Sequence, residues 1–129
     1  MDKNELVRLA LEARENAYSP YSSFKVGAAL LTKSGKCYKG CNIENGAFSP
    51  TNCAERTAFF SAIADGEREF SAIAVVGGKD GITAFCPPCG VCRQVMNEFC
   101  DKSFEIHLFN GEEIKTYTLG ELLPLSFEL

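Results

Sequence analysis

Several things that would assign the chain to a class at once are scarce or missing. Its apolar runs, such as Val26 to Leu31, are far shorter than the ~20 residues of a spanning helix. No stretch resembles an export signal, so a cytoplasmic location with no membrane partner is expected. Basic charge is not in excess: 13 Lys and Arg stand against 17 Asp and Glu, for a formal net charge of -4. A dedicated nucleic-acid binder needs a basic face to displace counterions from phosphate, so nucleic acid is disfavoured as a partner and a small neutral or weakly charged ligand is preferred. There is no Ser-, Pro- or Gly-rich tract and no internal repeat, and 129 residues suit one domain with one core, residues 1–129. Histidine is reduced to one residue, His107, in a predicted strand and at no ligand spacing, so it reads as a hydrogen-bonded structural side chain.

Cysteine, by contrast, is abundant, with seven in so short a chain. The odd number and the missing export signal favour metal binding or reduced thiols over a disulfide framework.

Hydrophobic periodicity predicts the element order α-β-β-α-β-α-β-β-α. Leu6, Leu9, Ala10, Ala13 and Ala17 recur at helical spacing over residues 3–17. Strands are predicted at 24–32 and 36–41, joined by the hairpin signal Lys33-Ser34-Gly35. A helix over 52–64 follows, with Thr51 or Asn52 as its cap. A buried strand at 71–77, a loop over 78–88 and a helix over 90–100 come next. Strands at 104–109 and 113–118 flank the turn Asn110-Gly111, and a short helix lies near 119–123. The fold class this implies is α/β, a three-layer α-β-α sandwich around a mixed five-stranded sheet.

Two predicted helix starts carry cysteine. Pro88-Cys89-Gly90-Val91-Cys92 places a Cys-x-x-Cys pair at a helix mouth, where unpaired amides and the helix dipole favour thiolates. Alone, this spacing fits a structural zinc half-site, a redox pair or ordinary reduced thiols. Cys53-Ala54-Glu55 opens the other helix. Cys53, Cys89 and Cys92 together would give zinc three protein ligands and leave a fourth place open, as catalytic sites do. Glu55, two residues from one ligand, can face that place without binding the metal. Asn42 and Glu44, one residue apart in an extended segment, project to one side, and an amide with a carboxylate suits sugar hydroxyls.

The runs Asn42-Ile43-Glu44-Asn45, Cys53-Ala54-Glu55-Arg56-Thr57 and Pro88-Cys89-Gly90-Val91-Cys92-Arg93-Gln94 resemble those of the small homotetrameric cytidine deaminases. Tyr18 to Ala29 and the closing Glu121-Leu122-Leu123-Pro124 also fit, so the likeness spans nearly the whole chain. The resemblance implies zinc-dependent hydrolysis of cytidine and deoxycytidine to uridine and deoxyuridine in pyrimidine salvage, by a homotetramer whose sites are completed by neighbouring subunits. It implies one Zn2+ per chain on Cys53, Cys89 and Cys92, with Glu55 as proton shuttle. Asn42 and Glu44 would bind the ribose, Phe24 would pack on the pyrimidine and the Ala54 backbone would bond the base. Phe127 would reach a neighbour's site. Arg56 and the two helix starts would offset the charge that three thiolates leave on one dication.

Some residues stand apart. Cys86 extends the pair to Cys-x-x-Cys-x-x-Cys, but Pro87 and Pro88 hold it extended ahead of the helix, which assigns it a non-ligand role. Cys37, Cys41 and Cys100 read as small buried apolar residues. Phe48 stands where relatives of the resembled family often have tyrosine. Two other functions compete: deamination of another cytosine nucleoside, such as a nucleoside antibiotic, and a structural zinc module with Cys86 as fourth ligand.

Overall fold

The chain runs α1 (Lys3–Arg14), β1 (Phe24–Thr32), β2 (Cys37–Cys41), α2 (Ala54–Ala64), β3 (Phe70–Lys79), α3 (Gly90–Phe99), β4 (Glu105–Phe109), β5 (Ile114–Thr118) and α4 (Leu119–Leu122). These elements come from a computed structural model that describes residues 1–79 and 81–129. The five strands form one sheet in the order β2-β1-β3-β4-β5. Every neighbouring pair is antiparallel except β3 and β4, whose parallel pairing requires a crossover that α3 supplies.

Alternation along the central strands creates the layers. Ala29 of β1 and Ala72, Ala74 and Val76 of β3 point to one face, where they bury Leu6, Val7 and Ala10 of α1. The residues between them, Ala28, Leu30, Ile73 and Val75, point to the other face. There they meet Ala58, Phe59 and Ala62 of α2, Met96 of α3 and Leu119 of α4. Phe59 anchors this larger core, with its ring 5.1 Å from Phe70 and 6.0 Å from Phe104. The result is the three-layer sandwich around a mixed five-stranded sheet. Among the described residues no helix is long and apolar enough to cross a membrane.

The element boundaries differ from the periodicity by more than one residue in three places, each for a tertiary reason. α1 ends at Arg14 rather than 17, because Tyr18 is drawn into pairing with the 42–44 segment: its N–H donates to Asn42 O at 2.9 Å and its carbonyl accepts from Glu44 N at 2.8 Å. α2 begins at Ala54, so neither Thr51 nor Asn52 caps it. Asn52 exchanges backbone hydrogen bonds with Ile43 at 2.9 Å, which leaves Cys53 as the N-cap. β3 runs through Gly78 and Lys79, which pair with Lys25 and Phe24 of β1. Gly78 belongs in that strand because the following segment folds back onto it: a Cβ there would lie 1.5 Å from the Ile82 carbonyl oxygen. That fold-back carries residues 82–88 towards the start of α3.

Candidate active site

The N-termini of α2 and α3 converge. Cys53 is the N-cap of α2 and makes no side-chain capping bond. Cys89 is the N-cap of α3, and Cys92 lies in its first turn, its N–H donating to Cys89 Sγ at 3.5 Å. The Sγ atoms of Cys53, Cys89 and Cys92 all lie within 4.8 Å of one another, and the Cys53–Cys89 separation is 3.8 Å. Two thiolates bound to tetrahedral zinc at ~2.3 Å stand about 3.8 Å apart, so the spacing and the soft donor set fit zinc. Cys86 is not in this cluster, and among the described residues no other group of three or more such side chains could hold a metal. Burial also pushes the Cys86 thiol up to about 11, which makes it a poor source of thiolate.

The surroundings favour negative charge on part of the cluster. The Cys53 thiol is pushed down to about 5, chiefly by its bond with Cys92 and, against the opposing effect of burial, by Arg56. Arg56 Nη2 donates to Cys53 Sγ at 3.2 Å, while its Nε is buried without a partner. The Cys92 thiol is pushed the other way by the same bond and by burial. Glu55 sits in the first turn of α2, 4% exposed, and desolvation raises its carboxyl to about 7.

A cavity of about 190 Å³ opens over the cluster, lined by Asn42, Glu44, Cys53, Ala54, Glu55 and Cys89 together with Val26, Thr51, Asn52, Cys86 and Pro87. Larger grooves, of about 400 Å³ beside Arg14 and Lys25 and about 500 Å³ beside His107, hold none of the sequence-predicted site residues. Asn42 is buried at the cavity's edge. Its Oδ1 accepts from Val26 N at 2.9 Å and its Nδ2 donates to Phe24 O at 2.8 Å. Glu44 Oε1 accepts from the N–H groups of Tyr21 and Ser22 at 3.0 and 3.1 Å, and Ser22 Oγ donates to its other oxygen. The Ser22 hydroxyl is the main reason its carboxyl lies below the ordinary range.

Of the substrate contacts expected from the sequence, two stand outside the cavity walls. The Phe24 ring packs against the larger core, close to Gly77. Phe127 is 68% exposed beyond α3, its carbonyl accepting from Asn97 Nδ2 at 2.9 Å. Conversely, Thr51, Asn52 and Pro87 line the cavity although the sequence gives them only capping and backbone roles; the first two immediately precede Cys53 and the third precedes the Pro-Cys motif. Arg93 was also passed over. It ties the start of α3 to α4, donating from Nε to Pro88 O at 2.7 Å and from Nη1 to Leu122 O at 2.6 Å. Cys37, Cys41 and Cys100 are half-buried rather than enclosed, a correction to the sequence reading: Cys37 and Cys41 lie on edge strand β2, and Cys100 ends α3. Phe48 is 76% exposed and holds a φ of 63°, rare for an aromatic residue. His107 is buried with its Nδ1 2.8 Å from Thr116 Oγ1.

Comparison with known proteins gives a consistent result. Residues 1–108 match the family described as the cytidine and deoxycytidylate deaminase zinc-binding region. A cytidine deaminase of Sporosarcina psychrophila is 52% identical over 128 residues, covering 98% of this chain and 92% of that protein. One from Halalkalibacterium halodurans is 49% identical, covering 98% and 95%. The crystal structure of cytidine deaminase from Burkholderia pseudomallei superposes with a TM-score of 0.91 at 49% identity, covering 98% of this chain and all of that one.

Proposed function

The chain belongs to the cytidine and deoxycytidylate deaminase family, and from that premise we propose that the cavity at the paired helix starts is where cytidine and deoxycytidine are hydrolysed to uridine or deoxyuridine and ammonia. The chain is an enzyme that deaminates cytidine, and its metal is zinc, one ion per chain. Cys53, Cys89 and Cys92 would hold it. When bound, zinc acts as a Lewis acid that brings the pKa of a coordinated water from about 15.7 towards ~7.

The chain's own residues do the rest. Water adds its oxygen to the amine-bearing ring carbon, and the bond from that carbon to the amine breaks. Glu55 takes one proton from the water and passes it to the adjacent ring nitrogen; it then takes the remaining proton of the added hydroxyl, which becomes the carbonyl, and delivers it to the amine, which leaves as ammonia. A carboxyl raised to about 7 can accept and release protons near neutrality. Arg56, bonded to Cys53 Sγ, offsets part of the charge of three thiolates. The Ala54 backbone bonds the base, and Phe24, placed beside the cavity by its carbonyl's bond to Asn42 rather than in the cavity wall, packs on the pyrimidine.

Asn42 and Glu44 hold the ribose. Each Asn42 amide atom makes one backbone bond, which leaves a hydrogen on Nδ2 and a lone pair on Oδ1 for sugar hydroxyls. Glu44 likewise keeps acceptor capacity beyond its bonds to residues 21 and 22.

The whole chain, 1–129, acts as one catalytic domain in a cytoplasmic homotetramer serving pyrimidine salvage, with Phe127 reaching a neighbouring subunit's site. The exposure of Phe127 and its place in a groove separate from its own chain's cavity favour this role.

The observation that carries the reading is three sulfurs at zinc spacing in one cavity mouth with a buried carboxyl two residues from the first. Metal analysis combined with a cytidine-to-uridine absorbance assay tests it. Glu55→Gln is expected to keep one zinc per chain while turnover falls by about 100-fold or more. Near-normal turnover in that variant would remove Glu55 from the mechanism, and an active metal-free wild type would remove the reading altogether.

A further inference from the structure

Two neighbouring strands carry matched glycines that face opposite helices. Gly27 of β1 is directed at α1: a Cβ there would lie 2.1 Å from Ala10 O and 2.5 Å from Arg14 N. Gly40 of β2, paired with Ala28, is directed at α2: a Cβ there would lie 2.4 Å from Ala54 O and 2.5 Å from Ala58 N. All of these are backbone atoms, so no rotamer change can relieve either contact. Restoring ordinary contact of 3.4 Å at Gly40 would require strand and helix to part by about 1 Å.

We propose that Gly40 is a positioning residue for deamination: its missing side chain sets how deeply the first turn of α2 seats on β2. That turn begins at Ala54, directly after Cys53, and contains Glu55. The partner thiols belong to α3, which does not rest on Gly40. A wedge at residue 40 therefore moves Cys53 and Glu55 relative to Cys89 and Cys92. If β2 yields instead, the same wedge displaces Asn42, two residues beyond Gly40, away from Glu55. In both cases the sugar contacts and the metal side of the cavity lose their mutual spacing. Zinc–sulfur distances tolerate about 0.2 Å, and reacting groups lose about 100-fold in rate for about 1 Å of misplacement. Bulk packing alone would make Gly27 and Gly40 equivalent. The positioning role makes them different.

This inference rests on the deaminase reading, and wild-type turnover of cytidine tests that reading separately. Gly40→Ala and Gly27→Ala are prepared alongside wild type, assayed well below their melting temperatures, and loaded with Co2+ to record the thiolate charge-transfer and d–d bands. Gly40→Ala is expected to lose about 100-fold in kcat/KM with shifted cobalt bands, and Gly27→Ala to lose melting temperature while keeping kcat/KM within about threefold. If Gly40→Ala does not accumulate as folded protein, Ala58→Ser adds one atom to the fully buried α2 residue whose backbone lies against Gly40, and its cobalt bands and kcat/KM are expected to shift in the same direction. Wild-type activity and wild-type cobalt bands in Gly40→Ala, or in Ala58→Ser where that stands in for it, would overturn the proposal. So would equal loss in the two glycine variants.

Discussion

The two faces of the sheet are built alike but end their helices differently. On one face α1 closes its own N-terminus: Asp2 Oδ1 accepts from Glu5 N at 2.9 Å, and the Arg8 guanidinium bridges Glu5 and Glu12 in solvent. On the other face α2 starts at a cysteine that makes no side-chain cap bond, and α3 starts at a sulfur that caps only loosely at 3.5 Å. The first helix satisfies its orphan amides locally and is left with a structural role. The other two direct their positive ends at sulfur and at the cavity. Chemistry sits where local capping has been given up.

The largest expected effect breaks the cluster itself. Cys89→Ser removes a soft donor and should abolish stoichiometric zinc and with it activity, because only two thiolates remain. Cys86→Ser, three residues earlier and in the same cavity wall, should keep one zinc per chain by metal analysis. If Cys86→Ser lost zinc as completely as Cys89→Ser, the centre would be a closed four-sulfur site and a structural one.

A smaller effect on the other face sharpens the contrast. Leu6 of α1 is 1% exposed against Ala29, Ala72 and Val76. Leu6→Ala should cost about 2–5 kcal/mol in denaturant unfolding through its residual cavity. Assayed where it is folded, it should turn over cytidine as wild type does. Should kcat fall in step with stability, α1 would have to be counted as part of the catalytic face.

What the sequence made legible follows the range of the forces involved. β1 is legible at 24–32 and stands at Phe24–Thr32, because its continuous buried run and the hairpin residues that end it lie in the segment itself. Cys53, Glu55, Cys89 and Cys92 were readable because helix starts and short spacings are local. Asn42 and Glu44 were readable from the two-residue period, and both line the cavity. The start of α2 was misplaced because Asn52 is held by Ile43, nine residues back, and no propensity encodes that pairing. Pro87 and Cys86 reach the cavity only because residues 82–86 fold back on Gly77 and Gly78. Gly40 gave no signal, since the backbone it clears begins fourteen residues later in another element.

The smallest expected effect concerns His107, which lies on the α1 face of β4 because Ile106 and Leu108 on either side of it point into the larger core. Burial lowers its pKa from the ordinary 6.5, with Lys3 of α1 adding to the fall and Glu105, 3.9 Å from Nε2, opposing it. The folded state thus holds the ring neutral over a range in which the unfolded chain would protonate it. Between the folded pKa and 6.5 the unfolded state binds more protons, so stability rises with pH across that window and is lost as acid takes the pH below 6.5. Denaturant unfolding of wild type and His107→Gln from about pH 7.5 to about pH 5.5 isolates this contribution, since losses from other groups cancel in the difference. Glutamine can still bond Thr116 Oγ1 without acquiring charge. Wild type should therefore lose stability relative to His107→Gln as the pH falls; curves that stay parallel would mean that the ring titrates alike in folded and unfolded chains, and that the α1 face is more open to water than its packing implies.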